Sequence, residues 1–352
     1  MISGGYIVSR MGNTRISNGE GKSRSELRQN VVSGDWVVIA TGRAKRPHDF
    51  LTKRGTRFSQ EKRTCPFEKS ISNRILIFSK SRIKKRDWWV QVVPNKFPAF
   101  GRGVCAVFSR VGPYQETGGV GFHEVIITRD HLRSIGEMND EEVELIVRAY
   151  QERYIALKDD PCVEYISIFH NHGRLAGASI SHPHSQIIAI PVISPDIRRS
   201  VEGSRRYFHE HKKCVHCVMI RYERAAKKRI IYENDRFVVF APYASKSAFE
   251  TRIFPKFHSA RFEDMAERDR RLFAHAFRIA MGKIFRGLRD PDYNFFLHTA
   301  PVRSLTDIDH YHWHFEILPK TAIWAGFEIG TGIEISVISP EAAAKFLRGI
   351  KV

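Results

Sequence analysis

Short apolar runs bounded by turns and polar residues recur along the chain and predict buried β-strands. They fall in two sets that follow the same order in each half of the chain: 87–94, 125–131, 165–169 and 181–190, then 235–242, 252–258, 293–297 and 311–319. Between the second and third run of each set, apolar residues recur at helical spacing, which predicts helices over 139–150 and 263–287. The chain therefore alternates strands and one long helix, twice.

The two sets resemble each other closely enough to indicate an internal duplication. Each second strand ends in a basic residue followed by histidine, and each set closes on a His-x-His strand. Equivalent positions of the two halves are separated by a nearly constant number of residues, except for an insertion of about 21 residues in the first half, between Pro98 and Phe122. We expect an α+β fold of two duplicated halves, with antiparallel sheets and covering helices. The predicted division is a flexible basic leader at 1–26, a first half at 27–195 and a second half at 196–352.

Composition and charge narrow the class of protein. The 352 residues are 42% hydrophobic and 27% charged, which excludes a disordered chain, a collagen-like fibre and a coiled coil. With 57 Lys plus Arg against 38 Asp plus Glu, the net charge of +19 favours anionic partners, either nucleic acid or phosphorylated small molecules. No apolar run is long enough to span a membrane. The polar N-terminal stretch lacks the apolar core of a secretory signal, so we expect a cytoplasmic protein.

The five cysteines do not form the pattern of a disulfide framework, because they are few, odd in number and widely spaced. Cys214 and Cys217 are a Cys-x-x-Cys pair, which is typical of metal ligation or of redox chemistry. A redox role would be favoured by a thioredoxin-like strand and helix, and the charged flanks of this pair do not fit one.

Two His-x-His pairs are the candidate chemical groups. Alternate side chains of a strand point to one face, so His182 and His184 should project together, and so should His312 and His314. A neutral imidazole can attack phosphorus and carry a nucleotidyl group as a phosphoramidate, provided that its other nitrogen is held by an acceptor.

The surroundings of the first pair favour phosphate chemistry. A loop with two glycines precedes it, and glycines let backbone N–H groups approach a phosphate closely. Ser179 adds a hydroxyl to this loop, and Gln186 follows the pair. An amide at Gln186 can donate to a non-bridging phosphate oxygen as charge builds up there, without competing for the proton.

These elements together resemble the galactose-1-phosphate uridylyltransferase family of the histidine-triad superfamily. The resemblance is carried, in family order over residues 27–350, by Gly42-Arg-Ala-Lys-Arg-Pro47, Cys65-Pro-Phe67, Val93-Pro-Asn-Lys-Phe97, Asp130-His131, Asn171 through Gln186, His298, His312-Trp-His314 and Gly326-Phe-Glu328. It implies a ping-pong reaction in which His184 takes UMP from UDP-glucose and passes it to galactose 1-phosphate, with Gln186 holding the uridylyl phosphate. The resemblance also implies a homodimer.

The resemblance assigns further roles residue by residue. Arg43 and Arg46 match positions that contact phosphates, and Asn95 and Phe97 match positions near the nucleotide. Glu328 matches a position that contacts sugar hydroxyls. The remaining expected substrate-binding residues are those of the phosphate loop and the second His-x-His pair: Asn171, Gly177, Ser179 and His314.

The resemblance also implies structural zinc. The family site uses Cys-Pro-x-Cys and two histidines, which Cys65, His131 and His182 match, but Glu68 replaces the second cysteine. A Cys-Glu-His-His site remains chemically reasonable, with a weakened or lost site as the alternative.

The duplication predicts a second tetrahedral site at the corresponding positions of the second half: Cys214, Cys217, His258 and His312. Some family members instead place a metal on His298, His312, His314 and a Glu. That Glu position holds Ser200 here, with Glu202 nearby, so we favour the Cys-x-x-Cys version, and we expect one or two zinc ions.

Three other functions remain open. Relatives with the same His-Pro-His-x-Gln element act as nucleoside-diphosphate-sugar phosphorylases, for example on ADP-glucose, with inorganic phosphate as the acceptor. Glu334 stands where the family usually carries a sugar-contacting Gln, which leaves the sugar and base open. A histidine-triad hydrolase acting on nucleic acid is disfavoured, because no concentrated basic stripe with interleaved aromatics is present. A catalytically silent zinc-stabilised protein is disfavoured by the intact His184 and Gln186.

Overall fold

The computed structural model describes residues 25–43, 58–69, 71–79, 88–105, 107–303 and 308–352. The strands of this part of the chain are β1 (Glu26–Gln29), β2 (Trp36–Ile39), β3 (Leu76–Ser79), β4 (Trp88–Pro94), β5 (Ser109–Val111), β6 (Tyr114–Glu116), β7 (Phe122–Thr128), β8 (Tyr165–His172), β9 (His184–Ile190), β10 (Ile230–Glu233), β11 (Phe237–Phe240), β12 (Thr251–Pro255), β13 (Tyr293–His298), β14 (His314–Pro319) and β15 (Glu334–Ser336). The α-helices are α1 (Asp140–Lys158), α2 (Pro195–His211), α3 (Val215–Ala226), α4 (Glu267–Leu288), α5 (Gly326–Thr331) and α6 (Pro340–Gly349).

Ten strands form one continuous antiparallel sheet in the order β10-β11-β12-β14-β13-β8-β9-β7-β4-β3. The order is the same when each half is followed from its own outer edge to the centre, so the duplication seen in the sequence is also a duplication of the fold. The halves join where β8 pairs with β13, from Tyr293 opposite His172 to Phe296 opposite Phe169. The predicted α+β fold with antiparallel pairing is confirmed.

Helices α1 and α4 cover one face of this sheet. A capping box starts α1, since the Asn139 side chain accepts from the Glu142 N–H at 2.9 Å and the Glu142 carboxylate accepts from the Asn139 N–H. Its apolar face buries Tyr150 and Tyr154 completely, and α4 does the same with Phe273 and Phe277. This layer holds the main hydrophobic core of both halves.

The opposite face of the second half has its own cover, which the sequence analysis did not predict. β1 pairs with β2, and β2 also pairs in parallel with β15. Helix α2 packs its buried Ile197 and Val201 against Tyr165 and Tyr311. Gly203 of α2 lies so close to the backbone of Val32 that a Cβ would fall 1.7 Å from the carbonyl oxygen. The corresponding face of the first half carries the candidate site.

The insertion between Pro98 and Phe122 contains the β5–β6 hairpin. A disulfide joins Cys105 of this insertion to Cys162, which lies after α1, with 4.9 Å between the Cα atoms. The sequence analysis did not predict this bond, because no local spacing connects two cysteines that are 57 residues apart. Within the described residues, none of the helices has the length and apolar character needed to cross a membrane.

Candidate functional site

His184 begins strand β9 and is held by the main chain of its own segment. Its Nδ1 donates to the carbonyl oxygen of His182 at 2.8 Å. The ring of Phe67 packs edge-on at 5.1 Å between centroids, and only 8% of His184 is exposed. Burial lowers the pKa of His184 below its usual value, so the ring is neutral at neutral pH. Nε2 therefore carries a lone pair, which is what a nitrogen nucleophile needs.

Gln186 lies two residues further along β9, on the same face as His184. Its Oε1 lies 2.8 Å from Nε2 of His123, a residue of β7. Asn95 also contacts His123, with 3.0 Å between its Nδ2 and the same ring nitrogen. The structure therefore brings three of the relevant side chains together, His184, Gln186 and Asn95.

Two glycines of the loop before the first His-x-His pair adopt backbone conformations that favour glycine. Gly173 and Gly177 both lie in the positive-φ region, at +82° and +83°. The Asp292 carboxylate accepts from the Leu175 N–H at 2.6 Å and lies where a Cβ of Gly173 would be. Asn171 accepts from Asn294 at 2.8 Å, which anchors the loop to the central strand β13. The predicted Ser179 is exposed at the end of this loop.

A cavity of about 910 Å³ extends from this loop into the second half, where the β1–β2 turn, α2 and β15 form its opposite wall. Its wall includes three residues that the sequence analysis assigned to substrate, Asn171, His314 and Glu328. Phe169, which also lines the cavity, pairs directly with Gln186 across β8 and β9. The cavity therefore lies one strand away from Gln186.

The second His-x-His pair repeats the geometry of the first with one difference. His314 Nδ1 lies 3.2 Å from the His312 carbonyl oxygen, as His184 does from His182. Its Nε2, however, faces the Glu316 carboxylate at 3.1 Å, and Glu316 occupies the position equivalent to Gln186. Arg252 holds the same carboxylate oxygen at 3.1 Å. Because His314 is 1% exposed and its Nε2 is engaged, it is not available as a nucleophile.

Around Cys65 the structure brings together three atoms that could bind a metal, from Cys65, His131 and His182, all within 4.8 Å of one another. His131 and His182 place their Nε2 atoms 2.9 Å and 2.7 Å from the carbonyl oxygens of Gln60 and Thr128, to which they donate. Their Nδ1 lone pairs consequently face each other at 3.1 Å. Cys65 Sγ lies 3.6 Å from the Nδ1 of His182.

Glu68 lies beside the two histidines of this group. Its Oε1 lies 3.3 Å from Nδ1 of His131 and 3.7 Å from Nδ1 of His182. The oxygen is buried and has no hydrogen-bond partner among the described residues. The two ring lone pairs and the carboxylate oxygen face one another, and a cation between them would remove their repulsion, so these residues fit a metal ion.

A second group lies at the N-terminus of α3. The ligand atoms of Cys214, Cys217, His258 and His312 all lie within 4.8 Å of one another. Cys217 Sγ is 3.4 Å from His258 Nδ1 and 3.5 Å from His312 Nδ1. His312 directs its Nε2 to the Pro255 carbonyl oxygen, as His182 does to Thr128. The hydrogen bond from Cys217 lowers the pKa of the Cys214 thiol, so the pair readily loses a proton.

The alternative metal arrangement in the second half lacks a carboxylate at its expected position. Ser200 is buried and lies 3.4 Å from the Tyr311 hydroxyl, and Glu202 is exposed on α2. His298, His314 and Glu316 do lie together, but the Arg252 guanidinium already occupies the Glu316 oxygen. A guanidinium in that position competes electrostatically with a metal cation. The structure thus places His312 with the cysteines.

Three predicted substrate-binding residues remain, Arg43, Arg46 and Phe97. Arg43 ends a short 3-10 helix at Thr41–Arg43, and Arg46 lies outside the described residues. Phe97 is exposed, and its backbone N–H donates to Asn95.

Sequence reasoning missed His123 and Phe67. Phe67 packs against both His182 and His184, at 5.7 and 5.1 Å between ring centroids. A signal for His123 existed, since alternation along β7 puts His123, Val125 and Ile127 on one face. Only the sheet register shows that this face meets Gln186 and His184.

Comparisons with known proteins identify relatives of this chain. The family model described as "Galactose-1-phosphate uridyl transferase, N-terminal domain" matches residues 16–193, and one described as "Domain of unknown function (DUF4921)" matches 118–347. The ADP-glucose phosphorylase of Arabidopsis thaliana is 32% identical, over 93% of each chain. The galactose-1-phosphate uridylyltransferase of Thermotoga maritima is 27% identical, over 93% of this chain and 99% of that protein.

A solved structure of the ADP-glucose phosphorylase from Arabidopsis thaliana with bound ADP-glucose superimposes with a TM-score of 0.77 at 29% identity. It covers 94% of this chain and 100% of that one. The fold is therefore that of a duplicated histidine-triad protein, and its relatives are nucleotidyl-transferring enzymes. The chain belongs to the galactose-1-phosphate uridylyltransferase family.

Proposed function

We propose that this protein transfers a nucleotidyl group from a nucleoside diphosphate sugar to a phosphate acceptor through a covalent intermediate on His184. The observation that carries this proposal is the state of the His184 ring. Its Nδ1 proton is committed to the His182 carbonyl, and the neutral ring therefore has its lone pair on Nε2. Gln186 lies on the same strand face, with an amide that can serve a phosphate oxygen.

In the first half-reaction, Nε2 of His184 attacks the α-phosphorus of the nucleotide sugar. The P–Nε2 bond forms while the P–O bond to the sugar 1-phosphate breaks, and the leaving oxygen takes the electron pair. In the second half-reaction, an acceptor phosphate oxygen attacks the same phosphorus, and the electron pair of the P–N bond returns to Nε2. Throughout, Nδ1–H stays on the His182 carbonyl and stabilises the positive charge that the ring acquires.

The acceptor distinguishes two candidate reactions. The family resemblance supports galactose 1-phosphate as the acceptor and UDP-glucose as the donor. The 32% identity to an ADP-glucose phosphorylase supports inorganic phosphate as the acceptor and ADP-glucose as the donor. Glu334, a buried carboxylate beside Lys246 in the wall of the cavity, stands where the resemblance to the uridylyltransferases implies an amide, so the site departs from that pattern here. We therefore rank the phosphorylase reaction first.

The cavity next to Gln186 is the proposed place of the sugar. Its size of about 910 Å³ suits a hexose and part of a nucleotide. Glu328 and Asn171 supply oxygens that accept from sugar hydroxyls, and Lys320 supplies a cation for a phosphate. Arg43, with its neighbour Arg46, is the proposed contact for the diphosphate.

The two side-chain groups around Cys65 and Cys214 are proposed zinc sites of structural type. A bound zinc ion supplies a fixed tetrahedral crosslink between segments that are distant in sequence. The first site acts on catalysis indirectly, because His182 contributes its ring to the metal group and its carbonyl oxygen to His184. Positioning of His182 therefore also orients the nucleophile.

A homodimer in the cytoplasm is the proposed state of the protein. Two exposed apolar segments support self-association: Ile323 is 82% exposed near Glu328, and Val104 is 91% exposed in the insertion. Exposed apolar side chains in such numbers are typical of interaction surfaces.

The test is a panel of ADP-glucose, UDP-glucose and GDP-glucose, each incubated with inorganic phosphate or galactose 1-phosphate. We expect release of glucose 1-phosphate together with ADP or UDP when phosphate is the acceptor. Formation of a new nucleotide sugar only with galactose 1-phosphate would favour the uridylyltransferase reaction. No turnover with any pair, by protein loaded with zinc, would contradict both reactions.

A further inference from the structure

His123 lies beside Gln186 but contacts none of the proposed reacting atoms directly. It is partly buried on β7, and its ring nitrogens contact three groups. Nδ1 accepts from the Ala99 backbone N–H at 3.2 Å, and Nε2 lies 2.8 Å from Oε1 of Gln186. Nε2 is also 3.0 Å from Nδ2 of Asn95.

These contacts fix which nitrogen carries the proton. A backbone N–H can only donate, so Nδ1 is the acceptor and the neutral ring has its proton on Nε2. Asn95 offers no acceptor to that proton in this orientation, because its Nδ2 faces the ring and its oxygen is turned to the Phe97 N–H, from which it accepts at 2.9 Å. The Gln186 oxygen is the acceptor that remains.

The orientation of the Gln186 amide follows from this choice. With Oε1 accepting from His123, the NH2 group points away from that ring. A flipped amide would place two N–H donors against each other, which costs a hydrogen bond and adds repulsion. The NH2 group is the part of Gln186 that a phosphate oxygen needs, since an oxygen turned toward the phosphate would repel it.

We propose that His123 is a positioning residue, which holds the Gln186 amide with its NH2 group toward the transferred phosphoryl group. The backbone N–H of Ala99 sets the tautomer of His123, so the segment after β4 also takes part in this orientation. The inference rests on the proposed transfer through His184. It does not depend on the identity of the sugar or the base.

The experiment measures the rate and the substrate concentration dependence of nucleotidyl-enzyme formation, with ADP-glucose and UDP-glucose labelled at the α-phosphate. His123→Phe keeps a planar ring but loses the donor, and we expect labelling to slow about tenfold with little change in half-saturating concentration. His123→Gln places an amide donor at a similar reach and should restore the rate to within about threefold. The control is His209→Phe on the exposed surface of α2, which should label at the wild-type rate.

A Gln186→Ala background separates positioning from a general structural role. There, His123→Phe should slow labelling by less than about twofold, since no amide remains to be oriented. Equal slowing in both backgrounds, or wild-type labelling by His123→Phe alone, would overturn the inference. Absence of label on the wild-type protein would instead contradict the proposed function, so the two failures are distinguishable.

Discussion

Replacing His258 tests the second metal site with little disturbance of packing. His258 is exposed, although its Nδ1 lies 3.4 Å from Cys217 Sγ. An exposed side chain that binds no metal contributes within about 0.5 kcal/mol to stability. A large effect of His258→Ala would therefore report the lost ligand and not a lost contact.

The expected magnitude follows from linkage between binding and folding. A site that binds only the folded chain stabilises it by about 4.1 kcal/mol when free zinc is one thousand times its dissociation constant. If the loss of one of four ligands weakens binding about a hundredfold, about 2.7 kcal/mol of that stabilisation disappears. We expect this difference between wild type and His258→Ala in zinc-buffered solution.

The assay is denaturant unfolding with buffered zinc and with a strong chelator, together with metal analysis of the purified proteins. In chelator, wild type and His258→Ala should have nearly equal stability, and at free zinc about tenfold above the wild-type dissociation constant the variant should hold about one ion fewer per chain. His209→Ala, another exposed histidine, is the matched control and should change neither quantity. An equal stability difference with and without zinc, or unchanged metal content, would refute the assignment.

Three further predictions address other parts of the account. Gln186→Ala should slow both half-reactions about 100-fold to 1000-fold and leave the melting temperature unchanged. Rates equal to those of the wild type in a stopped-flow assay would exclude a role of Gln186 in charge stabilisation. Replacing Cys105 and Cys162 together by serine should lower the free energy of unfolding by about 2 to 4 kcal/mol. A double variant as stable as the wild type, together with free thiols in the oxidised wild-type protein, would show that the disulfide does not form. Gly203→Ala should reduce soluble expression or stability strongly, because its Cβ would overlap the Val32 carbonyl, and a wild-type unfolding curve would contradict this packing.

The duplicated core of the fold could be predicted from the sequence because its signals are local. The paired His-x-His strands, the long helices and the insertion all reflect hydrophobic spacing within a few residues. The ten-stranded sheet confirms this order in both halves. The groups around Cys65 and Cys214 come together because equivalent positions of a duplicated fold occupy equivalent places.

Features that depend on long-range register could not be predicted in this way. The pairing of β15 with β2 joins residues near the two ends of the chain, and nothing in either short strand specifies the other. The bond between Cys105 and Cys162 depends on where the insertion returns to the sheet. The contact of His123 with Gln186 requires the register of β7 against β9, which places Val125 opposite Gln186.

The site showed one case where equivalent positions differ in chemistry. The sequence analysis placed His314 among the substrate-binding residues because it repeats His184. In the structure, Nε2 of His314 faces the Glu316 carboxylate, which Arg252 also contacts. The His314 ring still lines the cavity. A single difference, Glu316 against Gln186, changes a phosphate-compatible amide into a carboxylate that repels phosphate.

The most direct test of the central claim is to locate the nucleotidyl group on the protein by mass spectrometry after incubation with labelled nucleotide sugar and no acceptor. We predict one nucleoside monophosphate per chain, attached to His184 through Nε2, acid-labile and transferred to phosphate or sugar phosphate on addition of acceptor. His184→Ala should carry no adduct, while His314→Ala should carry it as the wild type does. An adduct on His314 or another residue, or turnover that persists in His184→Ala, would contradict the account.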